Sequence, residues 1–111
     1  MAKLNTMTLT GASGTKYVFN VYPRSDTFKA VGAVYFLSVR TAKPDGSGTH
    51  NWVYVGETGD LSERPLNHHR KACFDRHGSN AILLHVEGDH KKRLTIETDL
   101  REAYDPPCNR Q

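Results

Sequence analysis

One carboxylate in the sequence stands at a position suited to metal binding. In the segment His90–Tyr104, an apolar stripe with helical spacing includes Ile96 and Leu100, and Glu97 falls at the edge of that stripe. A partly buried carboxylate is costly unless a cation compensates its charge. Arg101, one turn further along, would do so in an ordinary ion pair, and the residues alone favour that arrangement. The alternative is Mg²⁺, which binds one or two carboxylates together with water and phosphate oxygens.

A basic stripe lies on a helix that is predicted over about residues 61–74. Arg64, His68 and Lys71 follow one another at helical spacing, on one edge of the mostly apolar face. Such a stripe could contact a phosphate at the rim of a cleft. A solvated helix edge has the same pattern and is the commoner case, so the spacing alone favours it.

Two tyrosines lie on strands predicted at residues 33–39 and 52–55, which are apolar on both faces. Strands of this kind belong in the middle of a sheet that is covered on both sides. Tyr35 and Tyr54 would ordinarily be core residues there. Tyr54 is expected to share a face with Trp52 and Gly56, and the glycine leaves space for something to approach the phenol closely, which is suggestive of a site.

The elements that would position these residues are mostly strands, with two helices. A hairpin is predicted from residues 7–10 and 16–22, and residues 41–51 are predicted to form a long exposed loop between the two central strands. A strand at Ala81–Val86 and a helix at His90–Tyr104 follow. The predicted fold class is α+β, a small central antiparallel sheet flanked by helices, with an added N-terminal β-hairpin.

Length and composition fit one globular domain. The chain has 111 residues, of which 37% are hydrophobic and 24% charged, and a net charge of +3. These values exclude a disordered tail and a membrane-embedded chain, since no apolar run approaches the roughly 18 residues of a transmembrane helix. The start lacks the apolar stretch of a secretory signal, so we expect a cytoplasmic protein. The positive charge permits a polyanionic partner without requiring one.

The cysteines and histidines form no recognisable metal motif. Cys73 and Cys108 are isolated in the sequence, and in a cytoplasmic chain we expect both thiols to be reduced. No Cys-x-x-Cys spacing points to structural zinc, and the six histidines form no His-x-x-x-His pattern. The sequence therefore predicts neither a disulfide nor a zinc site.

Two short motifs resemble those that give the GIY-YIG nuclease superfamily its name. They are Ala-Val-Tyr at residues 33–35 and Tyr-Val-Gly at residues 54–56. The order and spacing of later residues strengthen the resemblance. Arg64 lies ten residues after Tyr54, where the family carries its arginine, and His68 follows one helical turn later, where many members have histidine.

The resemblance continues through the second half of the chain. Glu97 matches the family's single metal-binding glutamate. Asn109 resembles the asparagine that closes the family's site, and would fix the geometry around the phosphate. The resemblance covers roughly residues 32–110, so residues 1–31 are interpreted as an N-terminal hairpin extension of a single domain.

The resemblance implies hydrolysis of a DNA phosphodiester with one divalent ion, usually Mg²⁺ and alternatively Mn²⁺, on a small antiparallel sheet flanked by helices. By the same resemblance, Glu97 would bind the metal and Arg64 would stabilise the charged phosphate of the transition state. Tyr35 or Tyr54 would orient or deprotonate the attacking water. His68 would support that proton transfer or position the phosphate.

The sequence departs from the family pattern at three places. Ala33 stands where the family usually has glycine, and Glu57 stands where some members carry a lysine near the phosphate. The loop predicted at residues 41–51 is longer than in minimal members. None of these changes removes the metal ligand or the arginine, so they bear on substrate choice more than on chemistry.

The alternative function is an inactive relative that binds nucleic acid or a protein partner through the same cleft. Lys71, Lys91 and Lys92 are expected to contact the DNA backbone and to give salt-dependent affinity. The sequence does not indicate which DNA structure is cut, and a protein partner could supply that specificity.

Overall fold

The structure is a computed structural model that describes residues 3–63 and 70–109. Within these residues, five strands form one antiparallel sheet in the order β1-β2-β5-β3-β4. No helix there is both long enough and apolar enough to cross a membrane. In chain order the elements are β1 Asn5–Thr10, β2 Lys16–Pro23, β3 Ala33–Ala42, β4 Gly48–Thr58, α1 Lys71–Arg76, β5 Ala81–Val86 and α2 His90–Tyr104, followed by a 3-10 turn at Pro107–Asn109.

The predicted α+β class and element order are confirmed. The N-terminal hairpin forms, with β1 beginning at Asn5, and it widens the sheet because β2 pairs with β5. Strand β5 has the predicted bounds, and so does α2. The side chain of Asp89 accepts a hydrogen bond from the backbone N–H of Lys92 at 3.0 Å and so caps the start of α2. Asp105 ends the helix in a left-handed conformation.

The prediction of a long loop at residues 41–51 is wrong. Strands β3 and β4 remain paired as far as Ala42 and Gly48, so only residues 43–47 form the turn. Gly46 has a φ of 90°, and the carboxylate of Asp45 accepts the N–H of Ser47 at 3.0 Å. In this region the strands are held by backbone pairing, and most of their side chains are exposed and polar. The sequence therefore shows no apolar alternation there that would predict a strand.

The first helix is shorter at its start than predicted. Residues 61–63 form a turn, and the carboxylate of Asp60 accepts the backbone N–H of Ser62 at 2.9 Å. A side chain bonded to its own backbone two residues later favours a turn over a helix. The described part of the helix runs over Lys71–Arg76.

Alternation on the central strands divides the core into two halves. Val34 and Phe36 point to the same side of the sheet as Leu100 of α2, which we call the α2 face. Tyr35 and Leu37 point to the opposite side, where Phe74 of α1 packs, and which we call the α1 face. Side chains that act together must therefore share a face or meet around an edge of the sheet.

The expectation of two reduced thiols is wrong for this structure. Cys73 in α1 and Cys108 in the C-terminal turn form a disulfide, with their Cα atoms 5.9 Å apart and a separation of 35 residues in sequence. The crosslink ties the C-terminal turn to α1 on the α1 face. The sequence could not predict it, because the contact depends on where the last helix returns the chain.

His50 on β4 is a titratable group inside a packed part of the sheet. Its ring stacks on Trp52 with centroids 5.0 Å apart, and Nδ1 lies 2.8 Å from the hydroxyl of Ser38. Burial, helped by the charge of Arg40, lowers the pKa of His50. The neutral ring is therefore favoured in the folded protein.

We expect the protein to lose stability in mild acid because of His50. The unfolded chain takes up the proton near pH 6.5, while the folded protein resists it, so the free energy of unfolding falls as the pH drops below about 6.5. In urea unfolding across this range, His50→Gln should flatten the slope. Thr49→Gln, at an exposed position next to His50 that carries no titratable group, is the control and should leave the slope unchanged. An unchanged slope in His50→Gln would contradict the prediction.

Candidate functional site

Two phenols meet beside a glycine on the α1 face. Tyr35 of β3 lies directly opposite Gly56 of β4, and Tyr54 precedes that glycine by two residues on the same side. The two rings have centroids 6.1 Å apart. A Cβ at position 56 would lie 2.9 Å from the hydroxyl oxygen of Tyr35 and 2.7 Å from Cε2 of Tyr54. Both contacts are shorter than real Cβ atoms tolerate, so glycine is what allows the two rings to approach.

The two tyrosines differ in their access to solvent. Tyr35 is 1% exposed and belongs to the buried core. Tyr54 is half-buried and packs against Phe74 of α1, with ring centroids 5.1 Å apart. Of the pair, Tyr54 is therefore the one that can present its phenol to a bound molecule.

The arginine and histidine predicted on the first helix, Arg64 and His68, lie outside the described residues. Arg70, which the sequence analysis did not single out, donates from Nη1 to the carbonyl of Cys108 at 2.9 Å. This bond fixes a guanidinium to the C-terminal turn, on the α1 face. A single arginine in a basic segment carries no pattern that would have identified it.

Asn109 is bonded to the backbone of the edge strand. Its side-chain oxygen accepts the N–H of Val55 at 2.9 Å, and its side-chain nitrogen donates to the carbonyl of Val55 at 2.8 Å. The amide thus replaces a neighbouring strand at the free edge of β4, one residue from Tyr54. In this structure Asn109 positions β4 and does not present a free amide to a ligand.

Glu97 is a half-buried carboxylate whose charge is incompletely compensated. Its side chain is 18% exposed, and Arg101 approaches it at 3.3 Å. The ion pair considered from the sequence is thus present. Burial nevertheless raises the pKa of Glu97, with the attraction of Arg101 opposing this and the charge of Glu57 adding to it. The site could therefore accept further positive charge.

The contacts of Glu57 give a physical reason for a glutamate at the position where some members of the resembled family carry a lysine. Its carboxylate accepts a hydrogen bond from Nε of Arg93 at 2.9 Å, and Arg93 is 6% exposed. The same guanidinium donates to the carbonyls of Glu87 and Gly88. A lysine at position 57 would leave this buried arginine without its counter-charge, so the glutamate has a structural role here.

The structure brings together only part of the predicted set. Both tyrosines lie on the α1 face, whereas Glu97 belongs to α2, which packs on the opposite face. The edge strand β4 links the two sides, since it carries Tyr54 on one face and Glu57 on the other. A groove of about 380 Å³ beside Asn109 is lined by Arg101, the ion-pair partner of Glu97, and by the carboxylates of Glu102 and Asp105.

The predicted DNA-contacting lysines lie on different faces. Lys91 and Lys92 are exposed in the first turn of α2. Lys71 starts α1 on the other side of the sheet, and its ammonium group is 2.8 Å from a carboxylate oxygen of Asp75. The charge of Lys71 is thus partly compensated within its own helix.

Comparisons with known proteins give no family for this chain. No family model, no curated protein and no solved structure matches it. Its function therefore has to be inferred from the side chains and their arrangement.

We expect Gly56→Ala to destabilise the protein because the new methyl group would displace both tyrosine rings. Forcing one extra carbon into a packed site typically costs about 1–3 kcal/mol. The free energy of unfolding in urea measures this cost. Gly88→Ala is the matched control, because a Cβ there meets open space and the backbone is not left-handed. Equal stability of the two variants would show that the tyrosines do not depend on the glycine.

Proposed function

We propose that this chain is a metal-dependent endonuclease of the GIY-YIG type that hydrolyses DNA phosphodiester bonds in the cytoplasm. The observation that carries the proposal is the register that sets Tyr35 opposite Gly56, with Tyr54 on the same face. In the resembled motifs, these are the residues that define the family. The close approach of both rings to Gly56 gives a physical reason for the glycine at that position.

Glu97 is the residue that would hold the divalent ion, Mg²⁺ or Mn²⁺. Its carboxylate is half-buried, its pKa is raised by burial, and a second carboxylate, Glu57, is close enough to influence it. These features fit a cation, since added positive charge would offset the burial of the carboxylate. The bound ion would polarise the scissile phosphate as a Lewis acid.

Tyr54 is the better candidate for orienting the attacking water. Tyr35 is enclosed in the core, whereas Tyr54 is half-buried beside the start of α1. Arg64 and His68 would supply charge and proton transfer as the resemblance implies. Asn109 would act as a positioning residue through its two bonds to Val55.

The DNA strand would have to cross the edge of β4 to reach both parts of the site. Tyr54 lies on the α1 face and Glu97 on α2, and Asn109, which is bonded to Val55 of β4, lines the same groove as Arg101. Backbone phosphates passing through this groove would come near Arg101, and also near the carboxylates of Glu102 and Asp105. The proposed active site would therefore extend around the edge of the sheet and would not be confined to one face.

Binding without cleavage is the second candidate function. Glu97 already has a cationic partner in Arg101, and both polar atoms of the Asn109 amide are occupied by Val55. An inactive domain would use the same edge to bind nucleic acid or a protein partner. The two candidates differ in whether a divalent metal adds cleavage to binding.

We expect cleavage of plasmid or branched DNA that requires Mg²⁺ and is lost in Glu97→Gln. The substitution keeps the shape of the side chain but removes the charge that would hold the metal, so the rate should fall by at least about 100-fold. The measurement is product formation on a gel over time, with Mn²⁺ and a chelator as parallel conditions. Arg64→Ala should lose cleavage to a similar extent.

Asp45→Asn is the control, because Asp45 is an exposed carboxylate in the turn between β3 and β4, outside the groove beside Asn109. It should cleave at the wild-type rate. Glu97→Gln should unfold at pH 7 with a free energy no lower than that of the wild type, since the ionised carboxylate is disfavoured in the folded protein. Wild-type protein that binds DNA but cuts no form of it with any divalent ion would support the inactive domain.

We expect Lys91 and Lys92 to contribute salt-sensitive affinity for DNA with little sequence preference. Each lysine that neutralises a phosphate adds about 0.9 to the slope of log affinity against log salt concentration. Lys91→Ala with Lys92→Ala should therefore lower that slope by about two in a fluorescence anisotropy titration. Lys16→Ala is the control, since Lys16 is exposed on the N-terminal hairpin at the other end of the sheet. A slope unchanged by the double substitution would exclude this surface.

A further inference from the structure

Three metal-binding side chains converge where α1 meets the C-terminal turn. Cys73 lies in α1, His77 follows four residues later at the end of that helix, and Cys108 lies in the turn. One ligand atom of each lies within 4.8 Å of the other two. The four-residue spacing puts Cys73 and His77 on one side of the helix, so both can face Cys108.

The three side chains also differ usefully in exposure. Cys108 is completely buried, Cys73 is half-buried and His77 is exposed. The cluster is thus anchored in the core at one end and open to solvent at the other. After reduction, a small ion could approach the two sulfurs from the side of His77.

We propose that reduction of the Cys73–Cys108 disulfide creates a Zn²⁺ site made of Cys73, His77 and Cys108. Two thiolates and an imidazole are the ligands zinc prefers, and a water molecule would complete four-coordination. Sulfur and nitrogen atoms bound to one tetrahedral zinc lie about 3.5–4 Å apart. The three ligand atoms lie within 4.8 Å of one another, and once the disulfide is broken the two sulfurs would move apart to reach that separation. The proposal does not depend on the nuclease function.

The reduction step requires an external dithiol, such as dithiothreitol or a protein dithiol. A thiolate of the dithiol attacks Sγ of Cys73, which is the more exposed sulfur, and Cys108 leaves as a thiolate. The second thiolate of the dithiol then displaces Cys73, so the dithiol is oxidised to a disulfide and supplies both electrons. Zinc binds the two cysteine thiolates and the neutral ring of His77, and the protons of the thiols pass to solvent.

The neighbouring side chains favour this exchange. Nη2 of Arg76 lies 3.5 Å from Sγ of Cys73, and a guanidinium beside a sulfur stabilises the thiolate.

Cys108 immediately precedes Asn109, whose amide holds the edge of β4 at Val55. The crosslink between Cys73 and Cys108 therefore helps to keep Asn109 in place.

Zinc would preserve that link where a disulfide cannot persist. In a reducing cytoplasm, disulfides are kept reduced by cellular thiols. Both sulfurs would then be free, and a metal bound between them would tie the C-terminal turn to α1 in the same way. The cluster thus provides one crosslink by two kinds of chemistry, depending on the redox state.

The test is titration of the reduced full-length chain with Co²⁺, followed by displacement with Zn²⁺. The protein is reduced with dithiothreitol, freed of it by gel filtration without oxygen, and compared with the oxidised protein. We expect the reduced wild type to bind one Co²⁺ with tetrahedral ligand-field bands and thiolate charge-transfer absorption. The oxidised protein should show neither.

His77→Ala separates the proposed site from non-specific binding to two thiols. Its zinc affinity should fall by at least roughly tenfold, a loss that even an outer-shell partner of a metal causes. His90→Ala, at an exposed position on α2, should bind as the wild type does. Equal zinc affinity in His77→Ala and wild type, or equal binding by oxidised and reduced protein, would overturn the proposal.

Circular dichroism covers the case in which reduction unfolds the chain. Recovery of the native spectrum on adding Zn²⁺ to the reduced wild type, but not to Cys108→Ser, would support the site, because metal binding would then supply folding free energy. An unfolded reduced chain that zinc fails to restore would overturn it.

Discussion

The backbone of β4 at Val55 is the point on which the candidate site depends. An edge strand has unpaired N–H and C=O groups, and here both groups of Val55 are bonded by the single amide of Asn109. That contact fixes the strand between Tyr54 on one face and Glu57 on the other. Because Asn109 follows Cys108, the crosslink to α1 and the position of the edge strand are mechanically connected.

Two carboxylates near this edge, Glu57 and Glu97, differ in how their charges are compensated. Arg93 is almost completely buried and is balanced by Glu57; its Nη1 donates to two backbone carbonyls and its Nη2 lies 3.4 Å from Nδ1 of His90. Glu97 lies one helical turn beyond Arg93, and its ion-pair partner among the described residues is the more exposed Arg101. Glu57 thus has a structural role, whereas Glu97 could bind a further cation. The same helix therefore carries both a structural ion pair and the proposed metal ligand.

Two proposed cation sites would lie on opposite faces of the sheet and would differ in chemistry. Glu97 offers oxygen, which suits Mg²⁺, whereas the cysteine and histidine cluster offers sulfur and nitrogen, which suit zinc. The second site would serve to hold the C-terminal turn rather than to carry out hydrolysis. Since the turn contains Asn109, loss of the crosslink would also weaken the contact between Asn109 and Val55 of β4.

Local pattern was enough to predict most of the elements. Period-two alternation gave β2, apolar runs gave the central strands, and the bounds of α2 followed from its apolar stripe and from the residues that end it. Strand geometry also predicted that Gly56 shares a face with Tyr54. The same rule was wrong for Trp52, which lies on the α2 face because the pairing of β3 with β4 shifts register between Leu37 and Ser38. The short β3–β4 turn was missed, since exposed polar strands are held by backbone bonds that side-chain patterns do not record.

Sequence by itself determined the element order, the two-sided central strands and the residue types available for chemistry. Tertiary structure alone decided which of them meet. Cys73 and Cys108 are joined, Asn109 is occupied by Val55, and Glu97 is separated from the tyrosines by the sheet. The physical reason is range: helix and strand periods act over a few residues, whereas these contacts depend on how distant segments pack against the two faces of one sheet.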